Sequence, residues 1–285
     1  MKNSPLRRGA ALAMAGGLLL SGCAATNADT QTPEPITASA SQKNEAIEQV
    51  REANPDHLGE GLVYKQPGKN AQGEYITLGA DPDSSLASYE APKWAAVGEA
   101  WSEKQMAQLQ VQAADFVYAQ ILSGPALGGS QADIDRQVEQ MSAQFSKLAQ
   151  GEGAKQTLAT VFAQPIKQNP FLVWSDAKAN NFSGYQPYQD AGSSRMLNPT
   201  VKIKSAHSYD KGEVLEDGNT AEINGATVNV VASFEWKLTK DGKRYAKPME
   251  LEYGVHFSKT EQDTGLHGAT LVNGATDAKP RPAKF

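Results

Sequence analysis

The chain has 285 residues, with 27 Lys and Arg against 32 Asp and Glu, a formal net charge of −5 and a single cysteine. The mildly acidic balance argues against a nucleic-acid partner and against an electrostatic grip on anionic lipid. One cysteine excludes an internal disulfide framework and a zinc–thiolate cage, so a core drawn from the 40% hydrophobic residues has to supply the stability.

At the start of the chain, Lys2, Arg7 and Arg8 stand without an acidic neighbour and precede an apolar run over 10–20. That order is the charged and apolar succession of an export signal. The run is too short to span a bilayer, which takes about 20 apolar residues. It ends in Leu20-Ser21-Gly22-Cys23, which resembles the lipobox of bacterial lipoprotein precursors. The resemblance implies a signal peptide over 1–22, cleavage between Gly22 and Cys23, and a diacylglyceryl group on the Cys23 sulfur. Each buried methylene contributes about 0.8 kcal/mol, so two or three acyl chains give lasting membrane attachment. The same resemblance implies an extracytoplasmic, lipid-anchored protein with no free thiol.

Residues 23–56 read as a flexible tether rich in Thr, Asn, Pro, Ala and Ser, with a short helix over 42–53. Over 57–91, Leu62-Val63-Tyr64 and Tyr75-Ile76-Thr77-Leu78 flank turn formers and predict a loose hairpin followed by loop. An α+β domain is expected over 92–272. Val97, Trp101, Met106, Leu109, Ala113, Phe116, Val117 and Ile121 mark one helical stripe over 92–122. Ser130 opens a second helix with Ile134, Val138, Met141, Phe145 and Leu148 on its stripe, and 154–162 offers a short third. Strands follow. The strongest pair is Val228, Val230, Ala232, Phe234, Trp236 and Leu238 against Tyr245, Met249, Leu251, Tyr253, Val255 and Phe257, turned at Asp241-Gly242. Residues 273–285 read as a disordered tail.

The expected fold class is therefore α+β, with two or three N-terminal helices packed on a curved antiparallel sheet from the C-terminal third. This succession resembles the NTF2-like (cystatin-related) fold, which implies helices in the concave side of the sheet and a pocket between them. Such a pocket would be lined by residues such as Phe234 and Trp236 or by the opposite sheet face.

The chain contains no Gly-x-Ser-x-Gly elbow, phosphate-binding loop, dinucleotide fingerprint or His-Glu-x-x-His, so no enzymatic activity, cofactor or metal is expected. The nearest metal-ligand set is Glu250, Glu252 and His256 with His267. These alternate with core-type residues and read as the wet face of a half-buried strand. Aromatic residues gather in an aperiodic stretch with Asp and Asn between them, and Phe171, Trp174, Tyr185 and Tyr188 are candidate contacts for a partner or ligand. The competing reading has the same rings plugging the domain's own core. The expected function is a monomeric, lipid-anchored, non-catalytic binding module for an envelope protein or glycan. The alternative is a carrier of a small apolar or lipidic ligand in an NTF2-like cavity.

Overall fold

The computed structural model describes residues 56–95, 100–126, 130–145, 184–216, 219–260, 264–274 and 278–285. Its centre is a long hairpin. Asp241 (φ 50°) and Gly242 (φ 72°) both take positive φ, the backbone of a two-residue turn whose twist suits antiparallel strands. They join β6 (Asn219–Lys240) to β7 (Lys243–Lys259), paired without a slip from Lys240↔Lys243 to Asn224↔Lys259. Val228, Val230, Ala232, Phe234, Trp236 and Leu238 are all buried, as are Met249, Leu251, Tyr253, Val255 and Phe257. Period-two alternation thus turns one face of both strands into core.

β5 (Met196–Glu216) pairs with β6, and β8 (Thr264–Asn273) with β7, both antiparallel. β3 (Trp94–Ala95) adds a parallel edge at Ala206 and His207. Two short strands lengthen the sheet at the turn end of the hairpin: β4 (Gln186–Pro187) on β6 and β9 (Arg281–Pro282) on β7. The hairpin of β1 (Leu62–Asn70) and β2 (Gly73–Ala80) forms a separate two-stranded sheet.

Between these strands in sequence lie α1 (Glu103–Asp115) and α2 (Gln131–Ser142). Ser102 and Gln105 close a reciprocal cap at the start of α1, satisfying donors that a helix end leaves open. Beyond Asp115 the helix widens into a π segment over Phe116–Leu122, closed by Ser123 N–H donating to the Tyr118 carbonyl at 2.8 Å. Met106, Leu109, Ala113, Val117 and Ile121 of this helix share one core with Leu62, Ile76 and Leu78 of the hairpin and with the large sheet.

A buried ion pair ties the beginning of the described chain to the sheet. Lys237 Nζ lies 2.5 Å from Asp56 Oδ1, with both side chains fully excluded from solvent. Asp56 Oδ2 also accepts from the Tyr64 hydroxyl at 3.1 Å and the Ser194 N–H at 3.0 Å. Burial pushes the Lys237 ammonium below its usual range, and the Asp56 charge pulls it back.

The architecture corrects the expected fold class. Among the described residues the fold is mostly β, and its helices do not form an N-terminal layer on a C-terminal sheet. The NTF2-like arrangement falls with it. Part of the cause lies at 92–101, where the helical stripe was expected to begin. Pro92 sits in a 3-10 turn (Ala91–Lys93), and Trp94 is in strand, its indole N–H donating 3.1 Å to Gln110 Oε1. The helix waits for the Ser102 cap. Phe234 and Trp236, expected to line a pocket, pack edge-to-face in the core at 4.9 Å. At the end of the chain, where a disordered tail was expected, β9 pairs with Tyr245 and Ala246. The signal peptide and lipobox, the tether as far as residue 55 and the possible helices at 42–53 and 154–162 lie outside the described residues; Asp56, expected as the last residue of the tether, is instead buried by its pairing with Lys237.

Candidate functional site

Of the four aromatic candidates, Phe171 and Trp174 lie outside the described residues. Tyr185 and Tyr188 flank β4, whose pairing at Gln186↔Thr239 and Pro187↔Leu238 lays them along the turn end of the β6–β7 hairpin. The Tyr188 N–H continues that pairing by donating to the Lys237 carbonyl at 2.9 Å. Gly184 (φ 79°) supplies the left-handed turn that leads into the strand.

The two rings meet different partners. Tyr185 packs edge-on against Tyr245 at 5.1 Å, and Lys240 Nζ stands 5.0 Å from its centroid. Tyr188 meets Phe285 at 5.1 Å, and the Arg244 guanidinium lies against both rings, 4.8 Å from Tyr188 and 5.4 Å from Phe285. Arg244 Nη2 also donates to the Tyr188 hydroxyl at 3.2 Å, and that hydroxyl donates to Asp190 Oδ2 at 3.1 Å. Partial burial and the bond to Asp190 together raise the Tyr188 phenol above its ordinary value, so it stays a neutral donor. β9 holds the end of the chain against this cluster through Ala283 N–H on the Arg244 carbonyl (3.1 Å) and an Arg281–Glu235 pair at 2.6 Å.

The outcome is an aromatic surface threaded with cations. Lys243, Arg244, Arg281 and Lys284 are exposed and Lys240 is half-buried, while Asp190 and Asp241 are the exposed acids beside them. In a chain of net charge −5 this end is locally positive. Cations against ring faces keep most of their charge available to a further partner, because ring contact is a weaker neutraliser than a carboxylate.

The face carrying the metal-type residues is arranged differently. Glu252 pairs with Lys204 at 2.7 Å, and the Glu250 carboxylate stands 3.4 Å from the Ser233 hydroxyl. His256 has both ring nitrogens engaged, Nδ1 at 3.0 Å from Thr227 Oγ1 and Nε2 at 3.1 Å from Thr270 Oγ1. Burial, then the neighbouring His267 and His207, lowers its affinity for a proton. Among the described residues no three His, Cys, Asp or Glu side chains form a group able to hold a metal ion.

Sequence reading singled out Tyr185 and Tyr188 but missed their partners Lys240, Arg244, Tyr245 and Phe285. The available signal was the basic run Lys240, Lys243 and Arg244 around the Asp241-Gly242 turn. A turn that carries three cations, two of them exposed, beside an aromatic partner strand is a surface feature, whatever its role. No protein-family model, curated protein or solved structure matches the chain.

Proposed function

We propose that the chain is a lipid-anchored, non-catalytic binding module of the cell envelope, and that the hairpin end carrying Tyr185, Tyr188, Lys240 and Arg244 is its binding surface. The lipobox resemblance at Leu20-Ser21-Gly22-Cys23 supports the location. The observation that carries the binding role is Arg244 lying against both the Tyr188 and Phe285 rings, which also touch each other, on a locally positive surface. Rings accept the apolar faces of sugars, hydroxyls such as that of Tyr188 exchange hydrogen bonds, and the cations select carboxylate or phosphate groups. An acidic glycan of the envelope supplies all three.

The location is tested by Cys23→Ser, which moves the protein from the membrane fraction to the soluble one; continued membrane attachment overturns the anchor. Binding is tested with polygalacturonate as probe and neutral dextran as control. The wild-type chain binds the acidic polymer, the affinity falls as salt rises, and Arg244→Ala with Tyr188→Ala weakens it by about tenfold or more. Equal binding of dextran, or no loss in the double variant, rejects this surface.

A further inference from the structure

A second feature, far from the hairpin turn, is built like a ligand site. A cleft of about 470 Å³ opens where α1 passes into its π segment, between the β1–β2 hairpin and the start of β8. That volume lies in the range of small-molecule pockets, about 300–1,000 Å³. Its polar wall is an ion pair, Lys65 Nζ to Asp115 Oδ1 at 3.2 Å, with each side chain 36% exposed. Its apolar lining includes Val111 and Phe116 of the helix, Phe257 of β7 and Leu266 of β8.

Three separate features of the chain converge on that pair. The β1–β2 register slips between Tyr64 and Pro67, and the Thr77 hydroxyl closes the bulge by donating to the Gln66 carbonyl at 2.8 Å while accepting the Gln66 N–H at 3.2 Å. A bulge disturbs the pairing locally, and this one begins at Lys65, the residue after Tyr64. Gly79 lies under the pair, and a Cβ there would collide with both the Lys65 side chain and Asp115 Oδ1. Asp115 is the last residue before the helix widens, and widened turns of this kind are frequent at functional sites.

The hydrogen bonding leaves the pair unsaturated. Asp115 Oδ1 takes the Ala80 N–H at 3.0 Å as well as Lys65, so both contacts of the carboxylate among the described residues fall on one oxygen. Oδ2 remains as an acceptor, and an ammonium with three donors has spent one on Asp115. A half-exposed pair of this type adds little to stability, so it opens at little cost.

We infer that this cleft binds a small zwitterion with an apolar side group, of the size of an aromatic amino acid or a dipeptide. The ligand ammonium meets Asp115 Oδ2, its carboxylate meets Lys65, and the four charges alternate in sign. Its side group lies on Val111, Phe116, Phe257 and Leu266. The site is independent of the hairpin surface and uses none of its residues.

Saturation-transfer NMR on the full chain in lipid nanodiscs tests this with L-phenylalanine, L-leucyl-L-phenylalanine and the neutral N-acetyl-L-phenylalaninamide. The zwitterions bind with a Kd at or below about 1 mM. The neutral amide binds at least about tenfold more weakly, a loss of two charged hydrogen bonds. Lys65→Met and Asp115→Asn each lower zwitterion affinity by about tenfold, and Lys65→Arg restores it in part. Asparagine at 115 keeps an oxygen for the Ala80 N–H, and unliganded melting curves check that each variant is folded. Absence of binding by either zwitterion, or equal binding of the neutral amide to the parent chain, overturns the inference without any variant being needed. Undiminished affinity in both folded charge variants overturns it too.

Discussion

Two lysine–aspartate pairs in this molecule have the same chemistry and opposite situations. Lys237–Asp56 is 2.5 Å long and wholly buried, and its carboxylate takes further bonds from Tyr64 and Ser194. Lys65–Asp115 is 3.2 Å long, half-exposed, and beside a cleft. In the first, every oxygen of the carboxylate has a protein partner, so the pair closes the structure around itself. In the second, the geometry is just as deliberate, yet one carboxylate oxygen has no partner among the described residues. Burial decides which pair holds the fold and which is free to meet a ligand.

The sharpest way to break the comparison is at the buried pair. Lys237→Met leaves Asp56 charged and unpaired in the core, and loss of one partner of a buried pair costs about 3–5 kcal/mol. Chemical denaturation of the protein reads this directly as a lower midpoint. A cost under about 1 kcal/mol would place Lys237–Asp56 with the surface pairs and erase the distinction.

Gly79→Ala comes next in size. The new methyl meets Lys65, which swings away easily, and Asp115 Oδ1, which is fixed by the Ala80 N–H. Overpacking against a fixed group costs about 1–3 kcal/mol, and the same denaturation curve reports it. An unchanged midpoint would mean that Asp115 is not held where the cleft requires it. Smaller again is Lys65→Met, at most about 1 kcal/mol, because the pair it removes is half in water. Stability near that of the parent, combined with lost zwitterion binding, separates a recognition pair from a structural one. A loss as large as that of Lys237→Met would make the two pairs equivalent.

The contrast also explains how much could be read from the chain alone. The β6–β7 hairpin was legible because Val228 to Leu238 alternate without a break and Asp241-Gly242 marks the turn. The stripe through Met106, Leu109, Ala113 and Val117 was legible for the same reason at a helical period. The β1–β2 hairpin was underrated because Tyr75 to Ala80 is buried on both faces, which leaves no alternation to see. The first residues of β5 carry no such pattern, because Asn198, at positive φ, and the slip between Leu197 and Thr200 interrupt it. Tyr185 and Tyr188 stood out as clustered rings, but Arg244 and Phe285 reach them through tertiary pairing alone. Lys65 and Asp115 carry no local signal at all, since one lies at a bulge, the other at a helix end, and tertiary packing brings them together.

His256 sets the smallest effect and a different kind of comparison, because it is a partly buried titratable group with no opposite charge to hold it. Burial comes first, and the nearby His267 and His207 second, in holding it below its ordinary value of 6.5. A histidine depressed in the folded state takes a proton more readily when unfolded, so protonation favours unfolding. Its contribution to stability is complete above about pH 6.5 and is lost as the pH falls below that value towards the folded pKa. His256→Gln keeps an amide that can bond Thr227 or Thr270 but does not titrate. Melting temperatures between about pH 7.5 and 5, above the carboxylate range, therefore fall less in the variant than in the parent. Identical slopes would show that Thr227 and Thr270 accommodate the imidazolium as well as the neutral ring, and that the sheet face is electrostatically indifferent to acid.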